Sequence, residues 1–321
     1  MSQKKYKTIR RMLRRPFEWT GIYLASLIIP CLTLRGCDRL AACIAHFGMF
    51  LMKRDKAIAS ANLKVIYGNH ISPYREKVII YHSFRNMSAV LVKLFWISRK
   101  SRRRIEQMNI IDTQTKAVLK PTRPAIYLSA HIGNWEILSQ CCILHGVPIV
   151  SVAKNIGSTA MTRRLRKIRS CIGQKIVSTD GALKYLVTAL KNNSSLGLLI
   201  DQHTSLKAGG TWLKFFGISV DVSISPATLA RKLNLPIIVA WSRPLKNGHY
   251  RIEHLKTFEP DPLIDDRTRS QEIMNLFEKV IRRHPSFWTL NYRRWRTVRP
   301  SENISRYPFY ARPEKTDHAA R

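Results

Sequence analysis

Ala125-Ile126-Tyr127-Leu128-Ser129-Ala130-His131-Ile132-Gly133-Asn134-Trp135-Glu136 is the stretch on which the reading of this chain turns. Ala125–Leu128 is a short apolar run of the kind that forms a buried strand. Gly133 then permits a tight turn, and Asn134 can cap a helix whose pattern runs to Leu144. Strand, turn and helix follow one another within twenty residues, and a histidine sits in the turn.

The same alternation continues downstream. Pro148–Ala153, Lys175–Val177, Leu196–Ile200, Pro236–Trp241 and Tyr250–Leu255 read as strands. Helical patterns cover Thr159–Cys171, Gly181–Leu190, Ser225–Leu233 and Arg267–Arg283, with a glycine- and aromatic-bearing loop from Gln202 to about Asp221. Short strands alternating with helices of this length predict an α/β fold, a mainly parallel central sheet flanked by helices. Sites in such sheets gather at the carboxyl ends of the strands. His131 and Asp201 both fall there. Residues 53–112 read as mostly helical and basic. The expected organisation is a basic arm and membrane-anchoring helical region over 1–55, a catalytic domain over 56–300 and a polar tail over 301–321.

Charge is the extreme feature of the composition. Fifty-five Lys and Arg against 20 Asp and Glu leave +35 on 321 residues, of which 45% are hydrophobic. A core of good size is therefore affordable, and the surface calls for anionic partners such as membrane phosphates, nucleic acid or acidic carrier proteins. Six cysteines show neither a C-x-x-C pair nor metal-ligand spacing with histidine. They read as small hydrophobes in a reducing compartment.

The chain opens with Lys4, Lys5, Lys7, Arg10, Arg11, Arg14 and Arg15, followed by an apolar stretch from Trp19 to Leu34 and a second from Leu40 to Met52. As helix the first stretch reaches about 24 Å, short of the roughly 30 Å hydrocarbon core, and Pro30 interrupts it. No small-x-small cleavage site ends it, which argues against a signal peptide. A short span, a helix lying in the interface on basic flanks, and a buried core helix all remain as readings. Membrane attachment is the expectation. Positive charge on both sides gives no orientation.

His131 and Glu136 stand five positions apart. With ten histidines and 20 acids in 321 residues, roughly half a match to that spacing is expected by chance. His254 and Glu259 are a second one. His254 lies in a strand-like piece with Pro260 after Glu259, so that match reads as an incidental surface pair. From the turn before the helix, by contrast, Glu136 can reach back to one nitrogen of His131, setting its tautomer and strengthening the other as a base. Backbone N–H groups at the helix start can help to hold an oxyanion. A core histidine bonded to a nearby carboxylate is the bland alternative.

At these residues the chain resembles the bacterial lipid A late acyltransferases, the lauroyl/myristoyl transferase family, over about Tyr23 to Thr297. The likeness runs through Ala61-Asn62-Leu63, Tyr81-His82-Ser83-Phe84-Arg85-Asn86, His131-Ile132-Gly133-Asn134-Trp135-Glu136, Leu198-Leu199-Ile200-Asp201-Gln202, Phe215-Phe216-Gly217, His284-Pro285 and Arg293-Arg294-Trp295. It implies an inner-membrane enzyme facing the cytoplasm, with an acyl-carrier-protein thioester as donor and a phosphorylated lipid as acceptor. His131 and Glu136 become the catalytic pair. Gly133, Asn134, Asp201 and Gln202 are expected at the substrate, as is the family's downstream arginine, Arg169 or, a turn earlier, Arg166. Where some members carry a second acid after Asp-Gln, this chain has His203. No metal or other cofactor is implied.

The resemblance also gives the charge a use, since carrier proteins are acidic and lipid A precursors carry phosphate. Arg163, Arg164, Arg166, Lys167 and Arg169 crowd one helix, and arginine holds phosphate bidentately. Trp288, Tyr292 and Trp295, at i, i+4 and i+7 among arginines, read as core packing with cation–π support. A nucleic-acid-binding protein is the rival that the charge suggests, but no reader motif is present and the basic residues are spread along the whole chain. A hydrolase with a covalent acyl-enzyme lacks both a G-x-S-x-G elbow and a cysteine with a histidine partner. An acyltransferase acting on a glycerolipid is the nearer alternative.

Overall fold

Alternate residues of the strand Ile126–Ser129 face opposite ways, and each face finds its own core. Ile126 and Leu128 join one buried cluster, while Ala125 and Tyr127 join another. The period of two in a strand explains this, and it means that both faces of the sheet are covered. In this computed structural model, residues 18–120, 122–153, 159–179 and 181–314 are described.

The elements in order are α1 (18–28), α2 (Leu34–Leu51), α3 (Lys53–Tyr67), α4 (Pro73–Trp96), α5 (Ser101–Met108), β1 (Asn109–Ile110), α6 (Thr113–Val118), β2 (Ile126–Ser129), α7 (Trp135–Leu144), β3 (Ile149–Val152), α8 (Thr159–Arg169), β4 (Lys175–Val177), α9 (Ala182–Lys191) and β5 (Ser195–Leu199). After these come β6 (Gly210–Phe215), β7 (Ile218–Ser223), α10 (Ser225–Lys232), β8 (Ile237–Pro244), β9 (Tyr250–Phe258), α11 (Asp266–Arg283), β10 (Thr297–Val298) and β11 (Arg312–Pro313). The central sheet has seven strands in the order β1-β9-β8-β2-β5-β3-β4. Only β8 and β9 run antiparallel within it. The mixed α/β class and the mainly parallel sheet read from the sequence are what the chain adopts.

One core contains apolar residues of α3, α9, α10 and α11 and the amino-terminal half of α4. The other contains those of α5, α7 and α8 and the carboxyl-terminal half of α4. Cys141 and Cys142 lie in the second, as expected of small hydrophobes. The segment 202–221, expected as a loop, instead holds most of an antiparallel hairpin, β6–β7. Its inward Leu213, Phe215, Val220 and Val222 alternate with more polar positions, a strand pattern masked in sequence by the glycines at 209 and 210.

The amino-terminal region departs from a simple anchor. Residues 4–15 lie outside the described residues. A short 3-10 turn, Ile29–Cys31 with Pro30 inside it, separates α1 from α2. Among the described residues no helix is long and apolar enough to cross a membrane. At the other end, the chain from 301 to 314, read as a polar tail, packs onto the body. Tyr307, Tyr310 and Ala311 are buried, the Tyr310 hydroxyl donates to Asn62 Oδ1, and β11 pairs with β10. Residues 315–321 lie outside the described residues.

Candidate active site

Strands β2 and β5 are parallel neighbours in which Ser129 pairs with Leu199. Two residues further along each strand stand His131 and Asp201, so the pairing register itself brings them together. Asp201 Oδ1 accepts from the His131 backbone N–H at 3.0 Å and from its ring Nδ1 at 2.7 Å. A carboxylate at Nδ1 requires the N–H there and leaves the lone pair on Nε2. Gln202 Nε2 lies 3.1 Å from that nitrogen. The imidazole is 17% exposed and rests against the Trp135 ring at 4.9 Å between centroids. The ring is thus held in one orientation and one tautomer while part of it stays exposed.

Asp201 is itself fully buried. Its Oδ2 accepts from Trp288 Nε1 and from Arg294 Nη2, both at 2.9 Å. Burial alone would raise its carboxyl pKa. The Arg294 guanidinium, His131 and the Trp288 N–H overcome that and hold it well below the usual carboxylate range. Arg294 is 1% exposed, and its Nε and Nη1 have no hydrogen-bond partner among the described residues. Its guanidinium carbon stands 5.1–5.9 Å from the centres of the Tyr292, Trp288 and Phe215 rings, whose faces supply part of what water would have given.

Glu136 does not reach back to His131. Both ring nitrogens of His131 are engaged elsewhere, and Glu136 faces Arg169 across from α8. Arg169 Nε donates to Glu136 Oε2 at 2.7 Å and its Nη2 donates to Oε1. The expected carboxylate partner of the base is therefore replaced by Asp201. At the first turn of α7 the side chain points toward the neighbouring helix rather than back along the chain. Arg169, in turn, answers that carboxylate through Nε and Nη2. Arg166 is half-buried on the same helix, Arg163 and Lys167 are exposed, and Arg164 donates to Ser26 on α1.

Gly133 and Asn134 support the turn. Gly133 has φ +63°, and a Cβ there would fall 1.9 Å from the Ser242 carbonyl oxygen, so the position excludes any side chain. The Gly133 N–H donates to Phe287 and that of Asn134 to Ser242. Asn134 Oδ1 caps α7 by accepting from Ile137 N–H at 3.1 Å. Both residues are buried, with these amides committed internally. They hold the shape of the turn. The amides expected to hold an oxyanion are, for these two residues, already used.

Several residues quoted only as likeness motifs turn out to brace this turn. Asn86 Nδ2 donates to the Gly133 carbonyl, and Ser83 Oγ donates to that of Trp288. Asn62 Nδ2 donates to Leu290 and Tyr292, and Thr289 donates to the His131 carbonyl through its N–H and its hydroxyl. Trp288 and Trp295 are core residues as read, but on an irregular segment rather than a helix. Trp288 and Arg294 were missed as partners of Asp201, because nothing in spacing links them to it. His203, after Asp-Gln, pairs through Nδ1 with the buried Asp221 of β7. Burial pushes the Cys141 thiol up to about 12, leaving no thiolate there at neutral pH.

The family model for the bacterial lipid A biosynthesis acyltransferases matches residues 3–297. The chain belongs to that family. It is an acyltransferase of lipid A biosynthesis, and the match takes in every residue described above as part of the candidate site. No curated protein matches the chain. Incidental status also holds for the second His–Glu spacing. His254 bonds Thr257 three residues along β9, and the exposed Glu259 pairs with Arg123.

Proposed function

We propose that this acyltransferase moves a fatty acyl group from an acyl-carrier-protein thioester to a hydroxyl of a phosphorylated lipid A precursor, in one direct step. The observation that carries the reading is the part-exposed His131 imidazole, fixed at Nδ1 by a buried carboxylate and with Nε2 facing the Gln202 amide. The acceptor hydroxyl displaces the Gln202 amide from Nε2 and gives its proton to that nitrogen. Its oxygen forms the new C–O bond at the thioester carbonyl. As the C–S bond breaks, His131 returns the proton to the leaving thiolate. Asp201 stabilises the transient imidazolium. The displaced Gln202 amide is a donor within reach of the developing oxyanion.

In this reading Glu136 is not the partner of the base. It holds Arg169 in place, and the Arg169 Nη1 edge, with Arg166, faces the acceptor's phosphate. The absence of an activated thiol at Cys141 supports direct transfer over an acyl-enzyme. A formal charge of +35 suits an acidic carrier protein and a phosphorylated lipid, and argues for steering by both.

Membrane attachment belongs to the same proposal. Trp19, Tyr23, Leu24, Leu27 and Ile28 of α1 are exposed, as are Ile44, Phe47, Phe50 and Leu51 of α2. Lys53 and Arg54 follow directly. Helices with apolar faces turned outward beside basic residues suit the lipid interface of the inner membrane on its cytoplasmic side.

The deciding experiment supplies the full chain in neutral detergent with acyl-carrier-protein thioester and offers a lipid A precursor and a glycerolipid acceptor in competition. Transfer to the lipid A precursor, abolished in His131→Ala, is the expected result. Preference for the glycerolipid would overturn the acceptor, and unimpaired turnover by His131→Ala would overturn the base. Incubation with labelled donor alone should leave no acyl group on the protein.

A further inference from the structure

A cavity of about 560 Å³ opens away from His131, between the first turns of α2 and the hairpin joining β8 to β9. That hairpin lies beyond the carboxyl end of β8, which runs parallel to β2, so the cavity shares the sheet rim with the candidate active site. It stands on the β9 side of β2, where Asp201 stands on the β5 side.

Its walls are held by buried groups. Lys93, 2% exposed, donates to the Gly248 carbonyl at 2.9 Å, pairs with Asp38 of α2 at 2.8 Å and lies 4.6 Å from the centre of the Tyr250 ring. One lysine thus clamps the hairpin tip to α2. Gly248, at φ +83°, has no room for a side chain, because a Cβ would meet Asp38 at 2.4 Å. The turn before α2 is tied down as well. Trp96 Nε1 donates to the Leu32 carbonyl and Arg104 Nη2 to that of Pro30, both at 2.7 Å.

What lines the cavity is different in kind. Arg35 and Arg39, one turn apart on α2, face it together with His249, Asn247 and Gln107. None of these side chains has a hydrogen bond or ion pair among the described residues. Among the described residues no carboxylate lines the cavity, and the nearest on α2, Asp38, is neutralised by Lys93. Arg35 and Arg39 stand exposed at its mouth, and their two guanidinium groups, with the Asn247 and Gln107 amides and the His249 ring, match an anion with several acceptor oxygens. The N–H groups at the start of α2 add to the same field. In sequence, Thr33 at the cavity lies five residues beyond α1, past the 3-10 turn, and α1 carries the exposed Leu24, Leu27 and Ile28.

We propose that this cavity is a second anion site that binds a phosphate group, the exposed α1 face favouring a phospholipid headgroup as its source. This does not depend on the transfer reading. It gives the protein a fixed grip on the membrane surface beside its active-site rim, separate from any contact made by the reacting lipid.

The test compares two charge-matched pairs of substitutions in the full chain, Arg35→Gln with Arg39→Gln, and Lys279→Gln with Arg296→Gln. Lys279 and Arg296 are exposed and do not line the cavity. One arm titrates inorganic phosphate by calorimetry in neutral detergent. The other sediments the protein with phosphatidylcholine vesicles, with and without phosphatidic acid. The cavity pair should weaken binding by about tenfold or more, and the control pair by no more than about twofold. A loss confined to the phosphatidic acid vesicles assigns the site to a headgroup. A loss in both arms assigns it to the phosphate group from either source. Equal responses of the two pairs in both arms would overturn the proposal, leaving only diffuse charge. Arg35→Lys with Arg39→Lys should give an intermediate loss, since lysine keeps the charge without the planar fork. His249→Asn, on the opposite wall, tests the same cavity without altering α2. It should weaken binding in the same direction, and wild-type binding by this variant together with the cavity pair would equally refute the site.

Discussion

Asp201 and Glu136 are both acids near one histidine, and the structure treats them in opposite ways. Asp201 ends a central strand, is sealed from solvent and accepts four hydrogen bonds, from the His131 backbone and ring, Trp288 and Arg294. Glu136 starts a helix and is held bidentately by one arginine from a neighbouring helix. The first is locked between the strand ends and fixes the His131 ring. The second locks Arg169. Closeness in sequence decided neither role. The carboxylate five residues away from His131 has a different partner, and the one seventy residues away holds it.

The widest separation between the two acids should come from Asp201→Ala. It leaves Arg294 buried without its counter-charge, so stability in a denaturant titration should fall by about 3–5 kcal/mol, and transfer should fall to background with it. His131→Ala comes next. It should lose about 10²–10⁴-fold in turnover while its unfolding midpoint stays near that of the parent. Glu136→Gln should be milder, with kcat/KM down about tenfold through a loosened Arg169. Its acid limb of the pH–rate profile should stay where the parent's lies. A displaced limb in that variant would hand the imidazole back to Glu136 and reverse the comparison.

Acid titration sharpens the same contrast. Asp201 is held well below the usual carboxylate range despite its burial. Glu302 is lowered to about 2, its partial burial outweighed by Lys214, Ser219 and the Tyr307 hydroxyl. A depressed folded value contributes stability that is whole above the unfolded value and is lost as pH falls toward the folded one. Thermal melts should therefore hold steady down to about pH 5 and drop on the way to about pH 2. A flat melting temperature across that window would refute the charged state of these pairs. The smallest effect belongs to the second His–Glu spacing. His254→Ala and Glu259→Gln should leave turnover unchanged, as measured in the same assay, because neither residue touches the rim.

Much of the fold was legible because each local signal agreed with its neighbours. Six of the seven strands of the sheet were marked by short apolar runs, and α7 to α11 by their helical patterns, with Asn134 at a helix start. The exception, β1, is two residues long. The β6–β7 hairpin was read as loop, since glycines and aromatics carry no unambiguous period. Residues 301–314 were read as tail from their polarity, although Tyr307, Tyr310 and Ala311 bury them against the body. For the candidate site, the sequence placed a histidine in the turn after one strand and Asp-Gln just after another, and the fold brings the two together.

Local pattern and elementary sterics thus settled most of this protein's elements, the class of its sheet and the placing of a histidine in the turn after a strand. Strand order was decided elsewhere. Only packing put β5 beside β2 in a register that aligns His131 with Asp201, and only the folded chain brought residues 288–294 beneath them. Period and propensity act over a few residues. The contacts that assign roles to two carboxylates arise between segments whose separation along the chain carries no trace of their distance in space.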